Sequence, residues 1–169
     1  STFRELGPVV TALLYAGRTG SSITSEVSIM QLTDQLRALE SIGIPTKSYI
    51  MFPRFISGLV SLPILTIFFN AFTLVGSHII AIHWLGMDMG FFWIDIQNNV
   101  NFSIDLVPGL IKSLCFAIII HTIALYHGKH SDKSASGIAV ATTTTVVQSS
   151  ISILVADFFL TIIFMGVWK

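Results

Sequence analysis

Ionisable side chains lie inside the first and the last long apolar runs of this sequence. Glu5, Arg18 and Glu26 belong to the first run, and Asp157 belongs to the last. A charge inside a membrane span is costly unless it faces protein or water, and it commonly marks a pathway for a polar group. Asp157 is therefore a functional candidate, and hydrogen bonding to the hydroxyls of a neighbouring helix is the alternative.

The charges of the first run permit two interpretations each. Arg4 and Glu5 stand at its beginning, where they could line a cavity for a passing headgroup or simply mark the membrane boundary. Arg18 and Glu26 are two helical turns apart and could form an internal ion pair. We favour a structural role for Arg18 and Glu26.

The sequence gives little support to an enzyme, because its catalytic and metal-binding motifs are absent or incomplete. His127-x-x-His130 with Asp132 has metal-like spacing, but it lacks a fourth ligand and lies in a Gly/Ser/Lys loop, so a solvated loop is the better interpretation. The sequence has no Walker A motif and no GxSxG elbow. Any transport that this chain carries out needs a partner to hydrolyse ATP.

Composition indicates a membrane protein. Hydrophobic residues make up 53% of the chain and charged residues 11%, with a mean hydropathy of +0.80; soluble domains carry about 25% charged residues. Net charge is zero, which gives no support to nucleic-acid binding. The single cysteine, Cys115, excludes a disulfide framework within the chain.

The apolar runs predict an all-α polytopic membrane protein in one permease domain over residues 1–169. About 20 apolar residues suffice to cross a bilayer. Four spans are predicted, at about 6–27, 55–82, 106–126 and 137–168. Segment 84–105 is rich in aromatic residues and contains three Asp, so it predicts a short interfacial helix on the outer side.

Small and hydroxyl residues form two stripes at helical spacing. The first consists of Ala12, Ala16 and Gly20. The second lies on the last span and consists of Thr142, Thr145, Ser149, Ser152 and Ala156. Such stripes let another helix approach closely.

A charged amphipathic helix is predicted between the first two spans, at about 29–42. Ser28 with Gln31 is typical of a capping box, and Gly43 before Pro45 is typical of a helix end. Basic residues in the short loops place this helix on the cytoplasmic side. These residues are Arg37, Lys47, Arg54, Lys129 and Lys133. The helix could be a handle moved by a cytoplasmic protein, or an ordinary surface element.

At the sequence level, three blocks carry a family resemblance. They are RELGPVVTALLYAGRTGSSITSE at 4–26, MQLTDQLRALESIGIPTKSYIMFPR at 30–54 and SGIAVATTTTVVQSSISILVADFFLT at 136–161. The chain resembles the MlaE/YrbE permeases, membrane subunits of ABC-type lipid transporters that work with MCE proteins. The resemblance covers essentially the whole chain. It implies one more span upstream, which agrees with a chain that begins on the outer side.

The resemblance also implies partners and a location. It implies a homodimer in the inner membrane of a Gram-negative cell, with an MlaF-like ATPase that binds ATP and Mg, an MlaB-like STAS protein and an MlaD-like periplasmic MCE hexamer. No cofactor is expected in this chain. The implied activity is phospholipid movement between inner and outer membranes, which maintains outer-membrane lipid asymmetry.

Site residues follow from the same resemblance, position by position. Arg4, Glu5 and Leu6 fall in the block that borders the lipid cavity, and Asp157 matches an acid of the last helix. Segment 30–42 matches the coupling helix that docks on the ATPase. Its candidate contacts are Met30, Thr33, Asp34, Arg37 and Glu40. Close relatives carry a basic residue near Thr144, where this chain has none.

Two other functions compete with a lipid permease. One is a non-transporting membrane scaffold that anchors a periplasmic lipid-binding ring. The other is an intramembrane enzyme that uses Asp157 or the His residues, which ranks last because no acid–base pair or metal motif accompanies them. On the expected face of the charged helix, Asp34, Arg37 and Glu40 meet the ATPase, while Leu32, Leu36 and Leu39 rest on the membrane bundle.

Overall fold

The computed structural model describes residues 5–167, except for the side chains of Lys47 and Phe102. The described part is helical and contains no strand. Its α-helices are α1 (Gly7–Tyr15), α2 (Ser21–Leu32), α3 (Gln35–Ser41), α4 (Phe52–His83), α5 (Met89–Asn99), α6 (Val107–Lys129) and α7 (Ala135–Val167). Short π-helical segments lie at Ala16–Gly20, Lys47–Met51 and Phe102–Leu106.

Three helices of the described part are long and apolar enough to cross a membrane. They cover Ser48–His83, Ser103–Lys129 and Ala135–Val167. They coincide with the second, third and fourth predicted spans and extend those spans by a few residues. Pro53 and Pro108 lie in the first turns of α4 and α6, where the missing amide proton of proline costs no helical hydrogen bond. The all-α class is confirmed, and the total of four spans stays a prediction.

The first predicted span, 6–27, lies in a longer helical segment. The π-helical segment Ala16–Gly20 joins α1 to α2, and α2 continues to Leu32. Ser28 is therefore not a helix cap. It is buried in the middle of α2, and its hydroxyl donates to the Gly128 carbonyl at 3.4 Å. The capping-box interpretation was wrong because Ser28 uses its hydroxyl to bind a neighbouring helix.

The predicted charged helix at 29–42 is divided in two. Residues up to Leu32 belong to α2, and α3 begins only at Gln35. Between them Asp34 has a φ of 57°, in the left-handed region. The predicted end at Gly43 is confirmed. Gly43 has a φ of 85°, its amide bonds to the Glu40 carbonyl and the Ile44 amide bonds to the Leu39 carbonyl, as in a Schellman motif.

α6 is the central helix, and α1, α2, α4 and α7 pack around it. Its Phe116 and Ile120 are fully buried. The small-residue stripe of the first span faces this core, since Ala12, Ala16 and Gly20 are all buried. A β-carbon on Gly20 would lie 3.3 Å from the side chain of Ile120. The prediction of close helix approach along this stripe is confirmed.

The hydroxyl stripe of α7 also faces inward. Thr145 and Ser149 are fully buried. The hydroxyls of Thr145 and Thr24 lie 2.8 Å apart, and Thr24 also bonds to the Ala124 carbonyl at 3.0 Å. These contacts tie α2, α6 and α7 together at one level of the bundle.

α5 forms within the predicted interfacial segment 84–105. Phe92 packs against the His78 ring of α4, with ring centroids 5.1 Å apart. Trp84, Phe91 and Trp93 are exposed. The helix itself is confirmed, and its place at the membrane surface stays a prediction.

Candidate functional site

The predicted lipid-cavity residues belong to different helices, with Glu5 and Leu6 just before α1 and Asp157 inside α7. Glu5 is partly exposed and Leu6 is exposed, just before α1. Arg4 lies outside the described residues. Asp157 lies on α7 and is only partly exposed.

Asp157 forms an ion pair with Lys112 of α6. Lys112 Nζ donates to Asp157 Oδ1 at 3.0 Å and to Thr161 Oγ1 at 2.8 Å. The Lys112 side chain is 1% exposed and that of Asp157 is 23% exposed. The acid therefore neutralises a buried lysine, so a direct lipid contact is not needed to explain its presence.

Sequence reasoning missed Lys112 as the partner, although a signal was present. The two residues have opposite charge, and each interrupts an otherwise apolar run. Lys112 lies near the beginning of one predicted span, and Asp157 lies in the last third of the next. Consecutive spans run in opposite directions, so these positions are at similar depth.

Glu26 does not pair with Arg18. Its carboxylate lies 3.1 Å from Arg54 Nη2 at the start of α4. This pair joins α2 to the start of α4. The loop charges predict that this side of the bundle is cytoplasmic. The possible Arg18–Glu26 pair does not form, because Glu26 pairs with Arg54 of another helix instead. Arg18 is exposed on the π-helical segment.

α3 presents most of its polar residues outward. Thr33, Asp34, Arg37 and Glu40 are exposed. Leu36 and Leu39 are partly buried against the rest of the chain, as is Met30 on α2. The structure thus leaves Thr33, Asp34, Arg37 and Glu40 accessible and Met30 partly buried, and what docks there stays a prediction.

Asp34 is tied to the loop between α6 and α7. Lys133 Nζ lies 2.7 Å from Asp34 Oδ1. This hydrogen bond, and then the lysine charge, lower the pKa of Asp34 below its usual value. The folded pKa is depressed, so the tie is present above the usual aspartate pKa and is lost as pH falls through the lowered value. At neutral pH the carboxylate is charged and the tie is intact.

Cavities of opposite character flank α3. The larger, of about 750 Å³, is mainly apolar. Its lining includes Met30, Ala38, Leu39, Ile42, Tyr49, Ile50, Pro53 and Arg54. A polar cleft of about 220 Å³ lies on the other side, between Arg37, Glu40, Lys129 and Lys133. A docked partner could therefore contact both polar and apolar surface around one short helix.

Both histidines of the His127-x-x-His130 motif form hydrogen bonds with other groups of the helical bundle. His127 Nε2 lies 2.6 Å from the Gln148 side-chain oxygen, and His130 Nδ1 bonds to the Tyr126 carbonyl at 2.9 Å. No cluster of three potential metal ligands occurs among the described residues. Thr144 donates to the Val140 carbonyl of its own helix at 2.8 Å.

Comparison with known proteins gives one consistent family. The family model described as "Permease MlaE" matches residues 1–163. The chain is 43% identical over 98% of its length to the "Intermembrane phospholipid transport system permease protein MlaE" of Haemophilus influenzae. It covers 64% of that protein.

Two further relatives come from distant sources. A Rickettsia conorii protein named "Probable ABC transporter permease protein" is 34% identical over 99% of this chain, which covers 64% of it. The chloroplastic protein TRIGALACTOSYLDIACYLGLYCEROL 1 of Arabidopsis thaliana is 32% identical over 95% of this chain, which covers 46% of it. The chain thus spans less than two thirds of the length of each of these relatives.

Proposed function

We propose, since this chain belongs to the MlaE permease family, that it is the membrane subunit of an ABC transporter for phospholipids. The transporter moves phospholipid between the inner and outer membranes and so maintains outer-membrane lipid asymmetry. The observation that carries this proposal is the 43% identity, over 98% of the chain, to a permease named for intermembrane phospholipid transport.

The proposed complex places catalysis outside this chain. Two copies of the permease form the centre in a bacterial inner membrane, and an MlaF-like ATPase binds ATP and Mg on the cytoplasmic side. An MlaB-like STAS protein associates with the ATPase, and an MlaD-like MCE hexamer lies in the periplasm. The permease is not itself an enzyme.

The proposed lipid pathway uses apolar surface with a few polar groups. A two-tailed lipid needs an apolar cleft in which polar groups orient the headgroup. Glu5 and Leu6, with Arg4 before them, form the outer mouth of this pathway. Asp157 contributes by fixing Lys112 beside α7 through their ion pair, so its role is to position the wall of the cavity.

The proposed coupling element is α3 together with the end of α2. The left-handed residue Asp34 separates these helices, so α3 can rotate while α2 stays packed. The Asp34–Lys133 tie connects this hinge to the loop that begins α7. A movement of α3 imposed by the ATPase would therefore reach α7 directly, as a rigid-body switch.

Charge reversal on α3 tests the coupling role. We expect the double variant Arg37→Glu/Glu40→Lys to lose ATPase binding, because both side chains are exposed and, among the described residues, their only side-chain hydrogen bond is the long one, 3.4 Å, that Glu40 accepts from Thr46. Asp34 is left unchanged, since its ion pair with Lys133 is structural. Co-purification of the ATPase with the full-length permease is the measurement, and membrane insertion of the variant is checked in parallel.

Asp95→Lys on α5 is the matched control, because Asp95 is exposed and lies in the segment predicted to face outward. It should retain the ATPase. Normal co-purification of the ATPase with the α3 variant would contradict the coupling role. A variant that loses the ATPase and still delivers lipid would instead support the scaffold over the permease.

A further inference from the structure

A groove with one arginine at its edge runs between the first helical segment and α4. Its volume is about 390 Å³. Residues from both elements line it: Thr11, Leu14, Tyr15, Arg18, Thr19, Leu65, Phe68, Phe69 and Phe72. Leu14, Phe68 and Phe72 are more than half exposed. The groove is therefore an open apolar surface with a single charged group.

Arg18 lies near the middle of the predicted first span, 6–27, and has no acidic partner among the described residues. A predicted span that starts at the outer boundary puts Arg18, 11 residues after Gly7, about 17 Å along the helix, near the middle of a hydrocarbon core of about 30 Å. Glu26, one candidate partner, is held by Arg54 instead. An unpaired guanidinium at this depth is costly unless an anion or water meets it.

A second polar group on the groove also lacks a partner. Thr11 is 6% exposed, and its hydroxyl forms no hydrogen bond with any described residue. The same wall carries Thr19, one position beyond Arg18. An apolar groove with a guanidinium and a free hydroxyl suits an amphiphile with an anionic head, and a guanidinium binds phosphate through paired hydrogen bonds.

We propose that this groove holds one membrane phospholipid, with its phosphate on Arg18 and an acyl chain along Leu65, Phe68 and Phe72. The inference rests on the proposed function, because a phosphate at this depth belongs to a lipid in transit between leaflets or membranes. The site is separate from the mouth at Glu5, which lies 13 residues or about three and a half turns away along the helix. Arg18 is thus a substrate-binding residue, in addition to any structural role.

Photolabelling of the full-length protein in vesicles tests the groove. The vesicles contain phosphatidylethanolamine and phosphatidylglycerol, with a trace of either a photoreactive phosphatidylglycerol or a photoreactive diacylglycerol with the same acyl chains. Labelled peptides are quantified by mass spectrometry. We expect phosphatidylglycerol to label segment 65–72 about tenfold more than diacylglycerol, as one charge-assisted hydrogen bond would give.

Variants at Arg18 separate the charge from the fold. Arg18→Gln should reduce phosphatidylglycerol labelling of 65–72 to the diacylglycerol level, and Arg18→Lys should retain part of the preference. The exposed apolar face of α7 around Phe158 and Ile162 is the internal control, because both lipids should label it equally in every variant. Equal labelling of α7 shows that the variant is inserted and folded.

Two results would overturn the proposal. One is labelling of 65–72 that depends neither on the phosphate nor on Arg18. The other is a groove that no lipid labels while Phe72→Cys forms a disulfide with a second copy, which would show that another chain covers it. Because labelling needs neither ATP nor partner proteins, a wild-type protein that delivers lipid but shows no phosphatidylglycerol preference at 65–72 would remove this site and leave the transport proposal standing.

Discussion

At the residue scale, several buried polar groups of the bundle find their partners on neighbouring helices. Lys112, Asp157 and Thr161 form one such set. Thr24 and Thr145 form another, deeper in the bundle. An unpaired charge in an apolar interior costs several kcal/mol, whereas a paired one is close to neutral against a well-packed apolar replacement. The main effect of these pairs is therefore to specify which helix faces meet, and their net contribution to stability is small.

Removing one member of the Lys112–Asp157 pair should be costly, and removing both should not. We expect Lys112→Met and Asp157→Leu each to lose about 3–5 kcal/mol of unfolding free energy, because each leaves one charge without its partner. The double variant should recover most of the loss. Denaturant unfolding of the purified full-length protein measures all four forms, and strictly additive losses would show that the pair is not coupled.

At the element scale, close contact at single glycines fixes how the helices pack. A β-carbon on Gly58 of α4 would overlap the imidazole of His121 on α6. His121 Nδ1 donates to the Ala117 carbonyl at 2.9 Å, since a carbonyl oxygen only accepts, and the Tyr15 hydroxyl lies 3.2 Å from Nε2. One ring thus sets the distance between α1, α4 and α6.

Gly58→Ala should destabilise the bundle even though alanine favours a helix. Overpacking of this kind costs about 1–3 kcal/mol. Gly76→Ala on the same helix is the control, because a β-carbon there would meet nothing within 4 Å; it should gain about 0.5–1 kcal/mol from helix propensity. Thermal unfolding in detergent measures both, and equal effects at the two positions would contradict the packing role of Gly58.

At the scale of the whole molecule, apolar side chains cover the outside as well as the core. α7 illustrates this, since only 6% of its most apolar stretch is buried. Ile151, Leu154, Phe158 and Ile162 of this helix are all more than half exposed. Such a surface is stable only against acyl chains or another apolar protein surface. The exposed faces therefore place the bundle in a bilayer.

A lysine at the centre of α7 should hinder insertion. Ile151 is 58% exposed and lies midway along the helix, so Ile151→Lys should cost about 2.5–3.5 kcal/mol of insertion free energy. Trp84→Lys is the control, because Trp84 lies between α4 and α5, where a charged head can reach water. The inserted fraction is measured by translation in the presence of membranes, and unchanged insertion of Ile151→Lys would contradict a lipid-facing centre.

Local pattern determined much of this protein. Apolar runs gave the three long helices, and Gly43 ended α3 where its φ of 85° suits a residue without a β-carbon. The stripe of Ala12, Ala16 and Gly20 correctly marked a face for close packing. These features follow from hydrogen bonding and periodicity within a few turns, so residues near in sequence suffice to predict them.

Only the tertiary structure decided the partners of the charges. Lys112 pairs with Asp157, and Lys133 pairs with Asp34, 99 residues away. The structure alone likewise showed that the charged helix is divided at Asp34 and that Arg18 is exposed. Such contacts depend on the depth and rotation of each helix, which are fixed by the packing of all helices at once. Spacing along one helix offers only partners on that helix, such as Arg18 for Glu26, whereas the fold pairs Glu26 with Arg54 of another helix.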